Sequence, residues 1–142
     1  MQLVKQLDID LAERDGKAHS FYNQFNKIDA IKYVVVAYEM EKPVGCGAIK
    51  EYKTDTMEIK RMYVAPQSRG KGIAGNLLTA LESWAAELLC KRCILETGKN
   101  QPEAIGLYLK RGYKVIANYG QYATIENSIC FEKDVKQFLS TN

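Results

Sequence analysis

The chain has 142 residues, 46% of them hydrophobic, which is enough for one domain to build a core without disulfide or metal staples. Its 20 basic and 17 acidic residues are interspersed and leave a net charge of +3, which argues against a dedicated nucleic-acid binder and suits a small anionic ligand. No leader pattern opens the sequence and no apolar run approaches bilayer length, so the expectation is a soluble, cytoplasmic protein with no membrane partner.

In chain order, Leu3, Val4, Leu7 and Leu11 fall on one helical face, which predicts a helix over 2–14 stopped near Gly16. Residues 17–31, with Phe21, Tyr22, Phe25 and Ile28, read as a second short helical or irregular segment. Three strands are predicted at 33–40, 44–52 and 56–64. The turns Glu41-Lys42-Pro43 and Lys53-Thr54-Asp55 are too short for crossovers, so these strands form an antiparallel meander. A long amphipathic helix follows, with Ala74, Leu77, Leu78, Leu81, Trp84, Ala85, Leu88 and Leu89 at three- and four-residue spacing. Residues 93–97 then read as a strand parallel to its predecessor through a β-α-β crossover. A helix over 101–111 has Pro102 in its first turn and stops at Gly112. Two final strands, 113–118 and 127–133, are joined by a loop from Tyr119 to Glu126. The predicted class is α/β (α+β), a single domain with a mixed central sheet.

The four cysteines, Cys46, Cys90, Cys93 and Cys130, occupy core-like positions, as reduced thiols inside a cell would. Cys90-Lys91-Arg92-Cys93 spells CxxC, but it sits at the C-terminal end of the long helix, where the dipole opposes a thiolate. With one histidine, His19, far away in sequence and no second CxxC, no metal site is expected.

The informative stretch is Gln67-Ser68-Arg69-Gly70-Lys71-Gly72-Ile73-Ala74, a basic, glycine-rich loop entering the long helix. Gly70 and Gly72 allow a tight turn that aims several N–H groups at one anion, and Arg69 and Lys71 add full charge. The first N–H groups of the helix have no intrahelical partner and stand at its positive end. The loop therefore reads as a pyrophosphate seat, or else as a solvated basic turn capping a core helix. Residues 70–75 also match GxGxxG, with Glu96 about 20 residues on, as a dinucleotide site would require. The context disagrees: Pro66-Gln67-Ser68-Arg69 separates the preceding strand from the first glycine, whereas the fingerprint needs a strand running almost directly into it. No GxxxxGK[ST] occurs, which excludes a P-loop.

Gln67, Gly70 and Gly72 spell QxxGxG, and Asn100, Ala104, Tyr108 and Gly112-Tyr113 follow at a second recognisable spacing. In these two signatures, and in its order of elements, the chain resembles the GNAT superfamily of N-acetyltransferases. The resemblance implies acetyl-CoA as co-substrate, no metal, and transfer of the acetyl group to an amine. It assigns the pyrophosphate to Gln67, Ser68, Arg69, Gly70, Lys71, Gly72, Ile73 and Ala74. The pantetheine falls to a bulged Met62-Tyr63-Val64 that splays this strand from its parallel neighbour. Asn100, Ala104 and Tyr108 are further coenzyme contacts, Asn100 being alternatively a plain helix N-cap. Members of the superfamily open with a short strand. Here Met1-Gln2-Leu3-Val4 reads as helical, so that strand is either very short or absent, which would leave a sheet edge to be covered or paired and make a homodimer plausible.

Acetyl transfer needs a neutral amine, a polarised carbonyl, a stabilised oxyanion and a proton for the departing thiolate. Tyr108 resembles the general acid, against a plain core tyrosine beside Ile105 and Leu109. Glu58 occupies the position of the general base in histone-acetylating relatives, against a cross-strand salt bridge with Lys50, Lys60 or Arg61. By the same resemblance His19, Phe21, Tyr22, Tyr119 and Tyr122 are candidate walls of the acceptor pocket. Asp8, Asp10, Glu13 and Asp15 could draw in a cationic amine or form a solvated helix face. The acceptor is expected to be a small molecule or amino acid. The alternatives are a protein lysine or N-terminus, or a non-catalytic acetyl-CoA sensor that binds without turnover.

Overall fold

A computed structural model describes the backbone of residues 7–12 and the whole of residues 33–135. The strands are β1 (Leu7–Ala12), β2 (Tyr33–Glu39), β3 (Lys42–Lys53), β4 (Thr56–Val64), β5 (Arg92–Gly98), β6 (Lys114–Ile116) and β7 (Ser128–Asp134). Helix α1 (Ile73–Glu87) joins β4 to β5, helix α2 (Pro102–Lys110) joins β5 to β6, and single 3-10 turns lie at Pro66–Ser68 and Gly120–Tyr122. The strands form a mixed sheet of order β1-β2-β3-β4-β5-β7-β6. The described residues fall into two compact units, one reaching to Lys50 and including Ile59–Trp84, the other comprising Glu51–Glu58 and Ala85 onward.

In the first unit the expected opening helix is replaced by β1, which pairs antiparallel with β2 from Leu7↔Glu39 to Ala12↔Val34. Leu3, Leu7 and Leu11 satisfy a helical period, but Leu7-Asp8-Ile9-Asp10-Leu11 alternates with period two as well. Pairing decides between them, because β2 would otherwise present a row of open N–H and C=O groups at the sheet edge. The edge whose exposure suggested self-association is therefore occupied by the chain itself. The predicted segment over 17–31 lies outside the described residues.

Val34-Val35-Val36-Ala37 of β2 is buried on both faces. Val34, Val36, Cys46 and Ala48 pack together on one face with Tyr38 and Tyr63. On β3, Gly45 and Gly47 approach α1 closely: a Cβ at Gly45 would lie 2.9 Å from the Tyr63 carbonyl oxygen and 3.2 Å from Leu77, and one at Gly47 3.0 Å from Leu81. Leu77, Leu78 and Leu81 are fully buried along α1, and Trp84 meets Tyr33 edge to face with ring centroids 5.2 Å apart. The β2-β3 turn falls earlier than expected, on Met40 and Glu41, both left-handed (φ 52° and 69°). Pro43 is inside β3 opposite Tyr38, where the register shifts, so its missing N–H falls at an irregularity of the ladder.

In the second unit, β4 pairs parallel with β5 at Thr56↔Arg92, Met57↔Cys93 and Glu58↔Ile94. β7 lies antiparallel on β5 from Arg92↔Asp134 to Gly98↔Ser128, and β6 pairs with β7. Helix α1 stops at Glu87, short of the predicted stripe: Leu89 is left-handed (φ 68°) and 77% exposed, because the chain turns there to let Cys90 N–H reach the Ala85 carbonyl. Cys46, Cys90, Cys93 and Cys130 are all free thiols and buried, and burial pushes the Cys46 thiol up to about 12. Among the described residues no helix is long and apolar enough to cross a membrane.

Candidate active site

In the first unit, β4 ends at Val64, and the chain crosses Pro66–Ser68 before turning at Gly70 and Gly72 into α1. These glycines have φ of +80° and +83°, and a Cβ at either would meet nothing within 4 Å. The requirement for glycine is therefore conformational rather than steric, as expected of a loop that turns its N–H groups to one side. Asn76 N–H to the Gly72 carbonyl is the first turn of α1, so the N–H groups of Ile73, Ala74 and Gly75 have no partner within the helix.

The loop's side chains divide by role. Ser68 is buried, while Gln67, Arg69 and Lys71 are exposed. Arg69 donates from Nε to the Val64 carbonyl at 2.7 Å and lies over the Tyr63 ring at 5.6 Å, which ties the loop back to the end of β4. Lys71 Nζ stands 3.5 Å from Glu39 in a weak, partly exposed pair, so its charge is available to an anion at small cost. A surface groove beside the loop is lined by Glu39, Lys42, Val44, Gln67, Ser68 and Lys71. Just upstream, Arg61 within β4 has φ 57°, a left-handed residue that interrupts the extended backbone immediately before Met62-Tyr63-Val64. These features fit a diphosphate on the loop and a strand end with irregular backbone beside it.

In the second unit, Glu58 on β4 is 9% exposed, and its Oε2 accepts a hydrogen bond from the Tyr119 hydroxyl at 2.8 Å. This partner is absent from the sequence-level alternatives of base or salt bridge, because 61 residues separate the two. The sequence offers Tyr119 only as a pocket wall. Its ring meets Tyr52 (centroids 5.2 Å apart) and Tyr122 (5.6 Å) edge to face. Burial raises its phenol well above the ordinary tyrosine range, and the Glu58 charge and hydrogen bond push the same way, so the hydroxyl remains a donor. A cavity of about 140 Å³ adjoins Tyr119, lined also by Tyr52, Thr56, Arg92, Ile94 and Ile116, with Arg92 paired to Glu132 at 3.1 Å.

Tyr108 is 7% exposed on α2, its ring against Tyr113 (5.8 Å) and Phe131 (5.7 Å). It is a packed tyrosine, and one kept firmly protonated: burial first, and then the Glu96 carboxylate, push its phenol up to about 12. Glu96 on β5 accepts from the Ser128 hydroxyl at 2.6 Å. Sequence reasoning meets Glu96 only as a mimic of a ribose-binding acid, and it misses Tyr52 and Ser128 altogether. The available signal for Glu96 is a carboxylate closing the apolar run Cys93-Ile94-Leu95. Asn100 is exposed in the turn before α2 and is not its N-cap: that position is Gln101, which makes no side-chain capping bond. Ala104 is half-buried within α2. His19, Phe21 and Tyr22 lie outside the described residues, as do Glu13 and Asp15, and of Asp8 and Asp10 only the backbone is described.

Residues 3–113 match the model of the acetyltransferase (GNAT) family, and the chain belongs to that family. It is 36% identical over 100 residues to the IAA acetyltransferase of Azospirillum brasilense, covering 70% of this chain and 65% of that protein. It is 41% identical over 87 residues to the N-acetyltransferase YjgM of Escherichia coli, an uncharacterized protein, with coverage of 59% and 52%. The chain thus spans between about half and two thirds of the length of these curated relatives. Among solved structures, a Klebsiella pneumoniae protein named as an acyl-CoA N-acyltransferase superposes with a TM-score of 0.78 at 27% identity, covering 91% of this chain and 97% of that one. A GNAT family acetyltransferase from Elizabethkingia anophelis with acetyl-CoA bound shares the fold, with a TM-score of 0.75 at 15% identity and coverage of 91% and 98%.

Proposed function

We propose that this protein is an N-acetyltransferase that moves the acetyl group of acetyl-CoA to a primary amine of a small molecule or amino acid, by direct attack in a ternary complex. The observation that carries the reading is the pair of left-handed glycines, Gly70 and Gly72, at the N-terminus of α1 within the family's QxxGxG signature.

The coenzyme supplies a thioester carbonyl and a thiolate leaving group. Backbone N–H groups from Gly70 to Ala74, with Arg69 and Lys71, take its diphosphate oxygens, Gln67 and Ser68 shape the loop, and Met62-Tyr63-Val64, Asn100 and Ala104 are assigned to the rest of the molecule. Glu58 accepts the amine proton, directly or through water, so that a neutral nitrogen attacks. As the C–N bond forms and the C–S bond breaks, Tyr108 gives its phenolic proton to the departing sulfur. Its phenol, pushed up to about 12 by burial and then by Glu96, stays protonated throughout the neutral range, although the same shift makes it a weaker acid than an ordinary tyrosine.

The test is to incubate the pure protein with acetyl-CoA and a panel of small amines, amino acids and peptides, following release of free thiol. Turnover on small amines supports the reading. Turnover restricted to peptides would replace it with a protein acetyltransferase, and coenzyme binding without turnover on any acceptor would replace it with a sensor.

A further inference from the structure

We infer that Tyr119 is a positioning residue for Glu58: its hydroxyl holds the carboxylate in the orientation from which it receives the acceptor's proton. The inference rests on the reading of Glu58 as general base and adds to it a group that helps to set the base's geometry.

Tyr119 is itself firmly held. Asn118 donates from Nδ2 to the carbonyls of Ile125 and Ser128, both at 3.1 Å, and so cinches the loop between β6 and β7 at its two ends. Inside that loop, Tyr122 N–H bonds the Tyr119 carbonyl at 2.8 Å. Tyr52 and Tyr122 then fix the ring from two sides. A phenol gripped at backbone and ring loses little further entropy on making its hydrogen bond, so the hydroxyl is a prepositioned donor.

Glu58 is the opposite kind of group, a carboxylate on a three-torsion side chain. At 9% exposure it has little water to orient it, and a hydrogen bond of 2.8 Å to one named oxygen, Oε2, restricts the final torsion. A proton acceptor misplaced by an ångström loses much of its effect, so a donor that removes this freedom acts on turnover rather than on coenzyme affinity. A solvated loop tyrosine would need neither the cinch at Asn118 nor the ring at Tyr52.

The test is a double-mutant cycle on kcat with Tyr119→Phe, Glu58→Gln and the combined variant, using the panel amine that turns over fastest, with the KM for acetyl-CoA measured alongside. Tyr119→Phe keeps the ring and its aromatic packing while removing one oxygen. The expected result is a fall in kcat of ~5- to 10-fold when Glu58 is intact, with a KM for acetyl-CoA within about 2-fold of wild type. In the Glu58→Gln background, Tyr119→Phe should have less than ~2-fold further effect. An equal loss on both backgrounds would show that Tyr119 acts independently of Glu58, and an unchanged kcat in Tyr119→Phe would show that it does not act at all. Either result overturns the inference while leaving the base intact. Full turnover in Glu58→Gln would instead remove the base, and the inference with it.

Discussion

Residues 67–72 and the Glu58–Tyr119 pair are built in opposite ways. The loop is exposed apart from Ser68, and its shape comes from two left-handed glycines and the start of a helix, all within a few residues of one another. The pair is withdrawn from solvent and made by side chains 61 residues apart, one from β4 and one from a loop cinched by Asn118. A backbone device tolerates side-chain change and fails when the dihedrals fail. A side-chain device fails when a single atom is removed. In the proposed function the contrast also separates binding from chemistry, the loop being assigned to the coenzyme's phosphates and the second unit to proton handling.

The largest expected effect concerns the buried phenols. The folded protein raises Tyr108 from an ordinary 10.0 to about 12, so the folded state resists its ionisation. The stability tied to that neutral phenol is fully present below pH 10 and is lost as pH rises from 10 towards 12, on the order of 2–3 kcal/mol. Denaturant melts at pH 8 and pH 11.5 should show this loss, and Tyr108→Phe should remove the share of it that belongs to Tyr108. Tyr119, raised by burial and by Glu58, contributes with the same sign.

The next effect breaks the loop. Gly72→Val forces a β-branched residue to φ +83°, where such residues are strained by about 1–2 kcal/mol each. The Cβ has open space around it, so the cost falls on the loop's conformation and not on the core. Calorimetric titration with coenzyme A should show ~30-fold weaker binding, with the melting temperature lowered by only several degrees and unfolding still cooperative. If the fold collapsed instead, the loop would be structural rather than a seat for the ligand.

Tyr108→Phe should lower turnover ~10-fold and leave coenzyme affinity intact, the mirror image of the glycine variant. Unchanged turnover would remove Tyr108 from the mechanism and leave it a packing residue against Tyr113 and Phe131. The smallest effect belongs to Glu39→Gln, which releases Lys71 from its 3.5 Å pair. Coenzyme binding should tighten by ~2-fold, and the gain should vanish at high salt.

The legible part of this protein is what depends on neighbours in sequence. The meander, α1, the crossover to β5 and the helix starting at Pro102 all follow from periodicity and from glycine and proline placement, and each element appears within a few residues of its predicted bounds. The loop is legible because Gly70 and Gly72 act through their own dihedrals. The expected helix at 2–14 is where this logic stops: Leu7–Leu11 satisfies two periods at once, and pairing with β2, 22 or more residues away, chooses the strand. Glu58, Tyr108 and Tyr119 could be nominated singly, but only the tertiary structure joined Tyr119 to Glu58, set Glu96 to act on Tyr108, and exposed Leu89 at the end of α1. Local conformation is decided by covalent geometry and short-range sterics, which a sequence carries within a turn or a strand. The burial and partners of a side chain depend on which distant segments pack beside it, and this is what the folded chain alone supplied.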